Sequence, residues 1–474
     1  MVSIDKFLEI EKKFNLYKDT IEGVNYWVYA RVRIWDDIIL KDCVNEGSVC
    51  NNVEKSSLKS KIQLYSKFIS NSLKMKNIKS CDICIVNHPR RVYQKEYYEC
   101  IYTDDIAQNL PENIVLEFPY PMNHLEPVKT NNLVYMDKVI LKKIIGLILY
   151  KTIYKNRYKR MLDAVRERTE TILEELEKAY SVKINREEIV DFIVQEIVYY
   201  KASIESIKKI IEKINPKVVV EVVSYNSNCM MINEVCKKMN IKTIELQHGI
   251  LTDHLAYNFN SDVVIEQMPD KIMLFSDYWR QFINFPIKME NVITTGFPYF
   301  ERKIKEAKKI EKYVDGRINI LFISQGTIGK KLSEIAAQLV ESVDKNSYRV
   351  FYKLHPAEFL GWEERYSCLK NENIIVLDNN KFDLYDYFAT CQIQIGVYST
   401  ALYEGLGFGL ATYIYRTELS EYMKMLCEKG YATYFRNCEE LTGCIEKGQN
   451  DNFVLEFWQE NALENMVNNI ESLL

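Results

Sequence analysis

The side chains best suited to binding an anion follow short apolar segments in the second half of the chain. His355 and Pro356 come directly after one such segment, which contains Lys353 near its end. Ser399 and Thr400 come after another and precede the helix-like stretch ALYEGLGFG. Imidazole, ammonium and hydroxyl groups donate hydrogen bonds to phosphate oxygens, and helix N-termini attract anions. These residue types predict a phosphate site; the alternative is that Ser399 only caps a helix and His355 only closes a strand.

Four more residues are candidates for the same nucleotide site. Gln325, Gly326 and Thr327 come after a third apolar segment, NILFIS. Glu404 lies one turn into the helix-like stretch after Thr400, where a carboxylate can accept hydrogen bonds from ribose hydroxyl groups. Three glycines follow Glu404 and would allow a ligand to approach the backbone closely.

The first half of the chain offers three candidates for a general base. His248 follows the apolar segment KTIELQ and precedes a glycine, Asp253 lies shortly after it, and His88 follows the segment DICIVN. A histidine that is neutral near pH 7 can accept the proton of a reacting hydroxyl group. The alternative for each histidine is a structural position in a loop, and the residues themselves do not decide among the three candidates.

The elements that must position these residues alternate between short apolar runs and helical patterns. The runs have the length and composition of buried strands, and the helical patterns between them predict right-handed crossovers and parallel sheets. Ligands of such sheets bind outside the carboxyl ends of the strands, where most of the candidates above lie. The predicted strands are Asp82–Asn87, Asn113–Phe118, Lys217–Val223, Lys242–Gln247, Lys271–Phe275, Asn291–Thr294, Asn319–Ser324, Tyr348–Leu354, Asn373–Leu377, Gln392–Val397 and Ala411–Tyr415.

This alternation predicts an α/β protein with two Rossmann-like parallel-sheet domains that face each other across a cleft. Residues 1–78 are expected to form a helical N-terminal extension. Residues 79–268 are expected to form the N-terminal, acceptor-binding domain with a long helical insertion, and residues 269–450 the C-terminal, nucleotide-binding domain. Residues 451–474 are expected to form a helix that crosses back to the N-terminal domain.

Composition limits the classes of function. The chain has 474 residues, 62 Lys and Arg against 66 Asp and Glu, and a net charge of −4, whereas nucleic-acid binders are usually strongly basic. Asp5 and Glu9 interrupt the segment where a signal peptide needs an apolar core, and no segment reaches the ~20 apolar residues of a membrane span. We therefore expect a cytoplasmic protein that binds no nucleic acid.

Cys81 and Cys84 form a CxxC pair on opposite faces of a strand, which favours reduced core thiols over a metal or redox site.

One stretch, Lys138–Arg160, carries eight basic and no acidic residues around the apolar run VILKKIIGLILY. A solvated helix face is one explanation of this pattern. The other is a peripheral contact with the anionic inner face of the plasma membrane, or with an acidic glycan.

Several of these segments together resemble a known group of enzymes. The sequence KLHP followed by YSTALYEG, with ELQHG, DKIMLFSDYW and VITTGFP upstream, resembles bacterial GT-B glycosyltransferases of capsule and surface-polysaccharide synthesis. It is similar to the polysialyltransferase and sialyltransferase groups and, more distantly, to the teichoic-acid glycerophosphotransferases, over about Val218–Tyr415. The resemblance implies a GT-B fold and assigns the phosphate of a CMP- or CDP-linked donor to His355, Ser399 and Thr400. It does not decide which residue is the base.

The expected function is therefore transfer of a sugar from a nucleotide-activated donor to a glycan or lipid-linked acceptor. CMP- or CDP-linked donors are favoured and UDP is an alternative. We expect an inverting single displacement that uses no metal ion and no cofactor, since the sequence contains no cluster with metal-ligand spacing in its second half. The alternatives are a polyol-phosphate transferase or a sugar-nucleotide 2-epimerase on the same fold, or a non-catalytic scaffold of capsule assembly.

Overall fold

The computed structural model of the chain consists of two compact units. The N-terminal unit comprises Val2–Ile39, Val53–Tyr299 and Gln459–Leu474, and the C-terminal unit comprises Phe300–Trp458. The residues that the structure describes are 3–39, 66, 68–71, 78–89, 91–94, 96–120, 123–251, 254–260, 263–379, 382–448 and 456–474.

The N-terminal unit is built on a parallel sheet. Its strands are β1 (Ile83–Val86), β2 (Val92–Gln94), β3 (Tyr97–Glu99), β4 (Asn113–Glu117), β5 (Leu133–Tyr135), β6 (Val218–Val222), β7 (Lys242–Leu246), β8 (Lys271–Leu274) and β9 (Val292–Thr294). Among the described residues, seven of these strands pair in the order β5-β4-β1-β6-β7-β8-β9, and β2 and β3 form a separate antiparallel hairpin. The central strands are buried on both faces, which explains why they are continuous apolar runs in the sequence.

Helices cover this sheet and extend the unit at its N-terminus. They are α1 (Asp5–Lys13), α2 (Tyr26–Ile39), α3 (Asp104–Asn109), α4 (Asp137–Thr152), α5 (Lys155–Tyr180), α6 (Arg186–Ile214) and α7 (Ser227–Lys238), with short 3₁₀ turns at Leu255–Tyr257, Asp277–Phe282 and Met289–Asn291. The helices α4, α5 and α6 occupy the interval in which the sequence predicts a long helical insertion. The side chain of Asn185 caps α6 by accepting a hydrogen bond from the backbone N–H of Glu188.

The C-terminal unit is built on a second parallel sheet. Its strands are β10 (Ile318–Ile323), β11 (Tyr348–Lys353), β12 (Ile374–Leu377), β13 (Ile393–Gly396), β14 (Ala411–Tyr415) and β15 (Thr433–Phe435). They pair in the order β12-β11-β10-β13-β14-β15. Its helices are α8 (Pro298–Glu306), which begins at the unit boundary, α9 (Gly329–Ser342), α10 (Trp362–Arg365), α11 (Leu384–Thr390), α12 (Thr400–Leu406), α13 (Lys424–Glu428) and α14 (Cys438–Lys447), with 3₁₀ turns at Glu311–Tyr313, Pro356–Glu358, Ser367–Lys370 and Leu419–Met423.

The last helix, α15 (Ala462–Glu471), returns to the N-terminal unit. The backbone N–H of Gln459 donates to the carbonyl of Phe275 at 2.7 Å. Gly296 has a φ of +104°, and a Cβ at this position would lie 2.5 Å from the Cβ of Ala462. A glycine is therefore required where this helix approaches the loop after β9.

The boundary between the two domains differs from the one predicted. We expected the C-terminal domain to begin at residue 269, but β8 and β9 continue the first sheet: Leu246 of β7 pairs with Met273 of β8, and Ile272 pairs with Val292. The boundary lies instead after Tyr299. A buried strand has the same sequence pattern in either sheet, so the pattern could not tell which sheet these two strands join.

Cys84 is buried in β1, whereas Cys81 lies before that strand and is half-buried, so the two thiols do not occupy opposite faces of one strand as expected. The Cys81 thiol donates to the carbonyl of Glu112 at 2.9 Å. Burial raises the pKa of the Cys84 thiol well above its usual value, as expected for a core thiol. In the part of the chain that the structure describes, no helix combines the length and the apolar character needed to cross a membrane.

Candidate functional site

Three neighbouring strands of the C-terminal unit end in the residues that we assigned to the nucleotide site. β10 lies between β11 and β13, and all three run parallel. Gln325 and Thr327 follow β10, His355 follows β11, and Ser399 and Thr400 follow β13. The carboxyl ends of β11 and β13 are two strand spacings apart, roughly 10 Å, which is within the span of a nucleotide diphosphate with its sugar.

His355 is held in one orientation and one neutral tautomer. Its Nδ1 accepts a hydrogen bond from the backbone N–H of Ala357 at 3.2 Å, so in the neutral ring the proton is on Nε2. Its own backbone N–H donates to Glu358 at 2.7 Å, and Pro356 opens the 3₁₀ turn between them. The arrangement makes Nε2–H of His355 a hydrogen-bond donor, as a phosphate site requires.

The loops after β10 and β13 are joined by their side chains. The hydroxyl groups of Thr327 and Tyr398 lie 2.9 Å apart. The Ser399 Oγ accepts from the backbone N–H of Ala401 at 3.2 Å, so Ser399 does cap α12. Capping uses a lone pair of the hydroxyl oxygen and leaves its hydrogen available, and Thr400 beside it is half-buried. The capping role and a phosphate-binding role are therefore compatible.

Gln325 supplies a signal that the sequence could not show. Its side-chain oxygen Oε1 is buried and has no hydrogen-bond partner among the described residues. An unsatisfied buried polar atom costs stability and is typically satisfied by water or ligand. Gly326, which separates Gln325 from Thr327, is half-buried and places no side chain in the loop.

Two other candidates of this unit have local partners. The Lys353 Nζ donates to the carbonyl of Asn379, in the loop after β12, and lies 4.8 Å from the centroid of the Phe359 ring. Burial lowers the pKa of Lys353 to about 8. Glu404 is buried within α12, where burial raises its pKa to about 7 and a hydrogen bond with Tyr385 opposes that shift. Both side chains therefore carry pKa values near neutrality.

The N-terminal unit has a second cluster, again at neighbouring strand ends. β6 lies between β1 and β7, and the three strands are parallel. His88 follows β1 and His248 follows β7, and their rings stack with centroids 6.4 Å apart. The structure brings these two predicted bases together. The third candidate, Asp253, lies outside the described residues.

Three phenol groups that sequence reasoning missed surround His248. The hydroxyl of Tyr102 donates to the His248 backbone carbonyl at 2.7 Å. The hydroxyl of Tyr225 lies 3.3 Å from Nε2, and that of Tyr257 lies 3.0 Å from Nδ1. Tyr225 follows β6 as His248 follows β7, so the strand-end pattern could have identified it. Both ring nitrogens of His248 are therefore in contact with a hydroxyl group.

The electrostatic surroundings keep His248 neutral. Burial, and secondly the nearby His88, lower the pKa of His248 to about 3. Glu245 of β7 is fully buried, and burial raises its pKa to about 7 against the hydrogen bonds it accepts from Ser224 and Tyr257. A neutral, half-buried imidazole with a carboxyl group behind it can accept a proton from a bound hydroxyl group.

The chain is similar in fold to several proteins of known structure. No protein-family model and no curated protein sequence matches the chain. The UDP-GlcNAc 2-epimerase of Methanocaldococcus jannaschii is 12% identical, with a TM-score of 0.50 over 82% of this chain and 99% of that one. MurG of Acinetobacter baumannii is 14% identical (TM-score 0.46, covering 83% and 100%), and the wall teichoic acid polymerase TagF is 10% identical (TM-score 0.42, covering 88% and 93%). The expected fold class, GT-B with two parallel-sheet α/β domains, is confirmed.

Proposed function

We propose that this chain is a glycosyltransferase of bacterial surface-polysaccharide synthesis. It would transfer a sugar from a nucleotide-activated donor, CMP- or CDP-linked by preference and UDP-linked as an alternative, to a glycan or lipid-linked acceptor. The observation that carries the proposal is that β10, β11 and β13, adjacent in one sheet, end in donors suited to phosphate: Thr327, His355 and Ser399.

The C-terminal unit would bind the nucleotide. The Nε2–H of His355 and the hydroxyl groups of Ser399 and Thr400 would donate hydrogen bonds to the phosphate oxygens, and Gln325 Oε1 would accept one from a hydroxyl or amino group of the donor. Negative charge accumulates on the phosphate as its bond to the sugar breaks. Donors that are already in place stabilise that charge without reorganisation. The proposal assigns this task to side chains of the protein and invokes no metal ion or cofactor.

The N-terminal unit would supply the base. The acceptor hydroxyl oxygen forms a bond to the anomeric carbon of the sugar, and the bond from that carbon to the phosphate oxygen breaks with its electron pair. The hydroxyl proton passes to His248, which is neutral at physiological pH. One displacement at the anomeric carbon inverts its configuration, so the product should have the anomeric configuration opposite to that of the donor.

A 2-epimerase is the second candidate. The fold neighbour from Methanocaldococcus jannaschii carries that name, and a 2-epimerase would need carboxylate and imidazole groups close to the sugar. Glu245 and His248 provide one of each, joined through Tyr257. The two candidates differ in their products, because only a transferase releases the nucleotide together with a glycosylated acceptor.

The test is to incubate the full chain with CMP-, CDP-, UDP- and GDP-linked sugars, with and without glycan acceptors. The proposal predicts release of free nucleotide that an acceptor accelerates. Conversion of the donor sugar without net nucleotide release would identify an epimerase. If no nucleotide raises the melting temperature, the chain has no donor site, and the scaffold alternative replaces the proposal.

A membrane partner is proposed from a basic, apolar surface at the junction of α4 and α5. Residues 151–156 are all exposed; Ile153 is 68% exposed, and Ile148, five residues earlier, is 55% exposed. Lys151 and Lys155 flank Ile153, whereas Arg157, beyond them, forms an ion pair with Glu22. Exposed apolar side chains between cations fit the interface of an anionic bilayer. A lipid-linked acceptor would be found at the same surface.

A further inference from the structure

A hydrogen-bonded chain of side chains leads from a buried carboxyl group to His248. The hydroxyl of Tyr257 donates to the Glu245 Oε1 at 3.0 Å. The same hydroxyl oxygen lies 3.0 Å from the His248 Nδ1. Glu245 is fully buried and Tyr257 nearly so, whereas His248 is half-buried and lies at the end of β7. These hydrogen bonds thus connect the interior of the sheet with its carboxyl edge.

The donors around Glu245 determine where the protons lie. The backbone N–H of Ser224 donates to Oε1 at 3.2 Å, and the Ser224 hydroxyl donates to Oε2. A backbone N–H has no acceptor role, so Oε1 is the accepting oxygen and any proton on the carboxyl group belongs on Oε2. Tyr257 has one hydroxyl hydrogen, which it gives to Oε1. Its oxygen must then accept the hydrogen bond that it shares with His248.

We propose that Tyr257 and Glu245 are positioning residues that hold His248 as the Nδ1–H tautomer and leave the lone pair of Nε2 for the reacting hydroxyl group. This inference deepens the proposed function and rests on the assignment of His248 as its base. Tyr225 occupies the donor position at Nε2, 3.3 Å away. An acceptor hydroxyl group would replace Tyr225 as the donor to this single lone pair.

The N-terminal helices hold the turn that carries Tyr257. Arg31 of α2 donates to the carbonyl of Leu255 at 2.6 Å and to that of Asn258 at 2.9 Å, on either side of Tyr257. Arg31 is also paired with Glu11 of α1 at 2.8 Å, and the two residues are 1% and 0% exposed. A guanidinium group fixed by a buried carboxylate is a rigid support for the backbone of this turn. Through this contact, the helices that precede the first strand help to position Tyr257.

The tautomer decides what His248 can do. With hydrogen on Nδ1, the proton of the acceptor hydroxyl group moves to Nε2, and no other proton has to move. The imidazolium ion that forms donates to Tyr257, and the Glu245 carboxyl group lies directly behind it. With hydrogen on Nε2, the ring would present a donor to the acceptor hydroxyl group and could not remove its proton.

The test reads the tautomer directly and needs no substrate. The chain has five histidines, so labelling histidine with ¹⁵N gives few signals, and His248→Gln identifies those of residue 248. Two-bond ¹H–¹⁵N correlation spectra at pH 7 distinguish the protonated ring nitrogen from the unprotonated one. We expect Nδ1 to carry the proton in the unaltered protein. A proton on Nε2 would overturn the proposal, whether or not the tyrosine variants fold.

Two phenol variants form a matched pair. Tyr257→Phe removes the acceptor for Nδ1–H, so we expect signals of the Nε2–H tautomer to appear and nucleotide release to fall at least 10-fold, with nucleotide affinity unchanged. Tyr225→Phe removes the partner of Nε2 instead and should leave hydrogen on Nδ1. Retention of the Nδ1–H tautomer in Tyr257→Phe would overturn the proposal. Because these spectra need no donor sugar, failure of the transferase assay is distinguishable from failure of this inference.

Discussion

The imidazole rings of His88 and His248 stack with their centroids 6.4 Å apart and their planes inclined by 19°. They follow β1 and β7, strands that flank β6 in the sheet. Burial disfavours the charged form of His248, and repulsion by the nearby His88 disfavours it further, so the pKa of His248 falls to about 3. His248 is therefore deprotonated throughout the physiological range, and another group must govern the pH dependence of the reaction.

Glu245 is the group expected to set the acidic limb of the pH profile. Burial raises its pKa to about 7, and its ionised form stabilises the imidazolium ion that His248 becomes. A carboxyl group is ionised above its pKa, so kcat/KM should rise with pH through about 7 in the unaltered enzyme. In Glu245→Gln this limb should disappear, leaving a lower plateau that extends down to about pH 5. Measurement of kcat/KM from pH 5 to 9 for both proteins checks the assignment; a limb near pH 7 that persists in Glu245→Gln contradicts it.

His355 should contribute separately to nucleotide affinity and to stability. His355→Ala removes both the donor Nε2–H and the acceptor that caps the turn at Ala357. Loss of a hydrogen bond to a charged group costs about 1.5–3 kcal/mol, or roughly 10- to 150-fold in affinity, and loss of a cap costs about 1 kcal/mol of stability. Isothermal titration calorimetry with the nucleotide and urea unfolding measure the two effects.

His355→Asn is the matched control for this substitution. Asparagine keeps an acceptor for the backbone N–H of Ala357, since it is among the preferred capping residues, but it lacks the reach of Nε2. The variant should therefore be as stable as the unaltered protein, but its affinity for nucleotide should be reduced as in His355→Ala. Full nucleotide affinity in both variants would remove His355 from the donor site.

Replacing only one member of the buried ion pair between Arg31 and Glu11 should lower the free energy of unfolding substantially. Arg31→Met leaves the Glu11 carboxylate buried without its cation, which typically costs about 3–5 kcal/mol. Replacing both residues, as in Glu11→Gln with Arg31→Met, should recover part of that loss. Urea unfolding measures the free energies.

An exposed ion pair provides the comparison. Arg166 and Glu187 lie 2.9 Å apart at the surface of the same unit, and Arg166→Met should change the free energy of unfolding little because solvent screens this pair. If Arg31→Met is no more destabilising than Arg166→Met, the buried pair does not hold the N-terminal helices as the structure indicates.

Binding to anionic vesicles should depend on the cations at the α4–α5 junction. Each lysine near an anionic surface contributes about 1 kcal/mol, so Lys151→Gln with Lys155→Gln should weaken binding by about 2 kcal/mol, or roughly 30-fold. Co-sedimentation with phosphatidylcholine vesicles, with and without phosphatidylglycerol, measures this. Lys330→Gln with Lys331→Gln, an exposed pair in the C-terminal unit, is the control. Equal binding to neutral and anionic vesicles, or equal loss in both variants, would exclude the proposed surface.

The sequence predicted most of the framework because buried parallel strands are continuous apolar runs. The runs at β1, β6, β7, β10 and β11 were long enough to identify, and the polar residues that follow them were visible as candidates. Four of the five described strands of three residues were not predicted, because strands of this length rarely show a period: Val92–Gln94, Tyr97–Glu99, Leu133–Tyr135 and Thr433–Phe435. The order of strands in a sheet depends on packing between distant segments. The sequence therefore could not predict that β8 and β9 belong to the first sheet.

The site was predictable only at the level of strand ends. His88 and His248 were both candidates, but nothing in the sequence showed that β1 and β7 flank the same strand. The chain has 33 tyrosines, and contact of Tyr257 with His248 depends on a turn that is held by Arg31, far away in the sequence. The unpaired oxygen of Gln325 likewise depends on tertiary burial. Such contacts become visible only when the folded chain is known.

The measurement that tests the central claim most directly is single-turnover nucleotide release by the unaltered protein and by His248→Gln, with the activated sugar that the substrate panel identifies. The account predicts that release falls at least 100-fold in His248→Gln, while the dissociation constant of the nucleotide changes less than twofold. Nucleotide release by His248→Gln at the rate of the unaltered protein would contradict it.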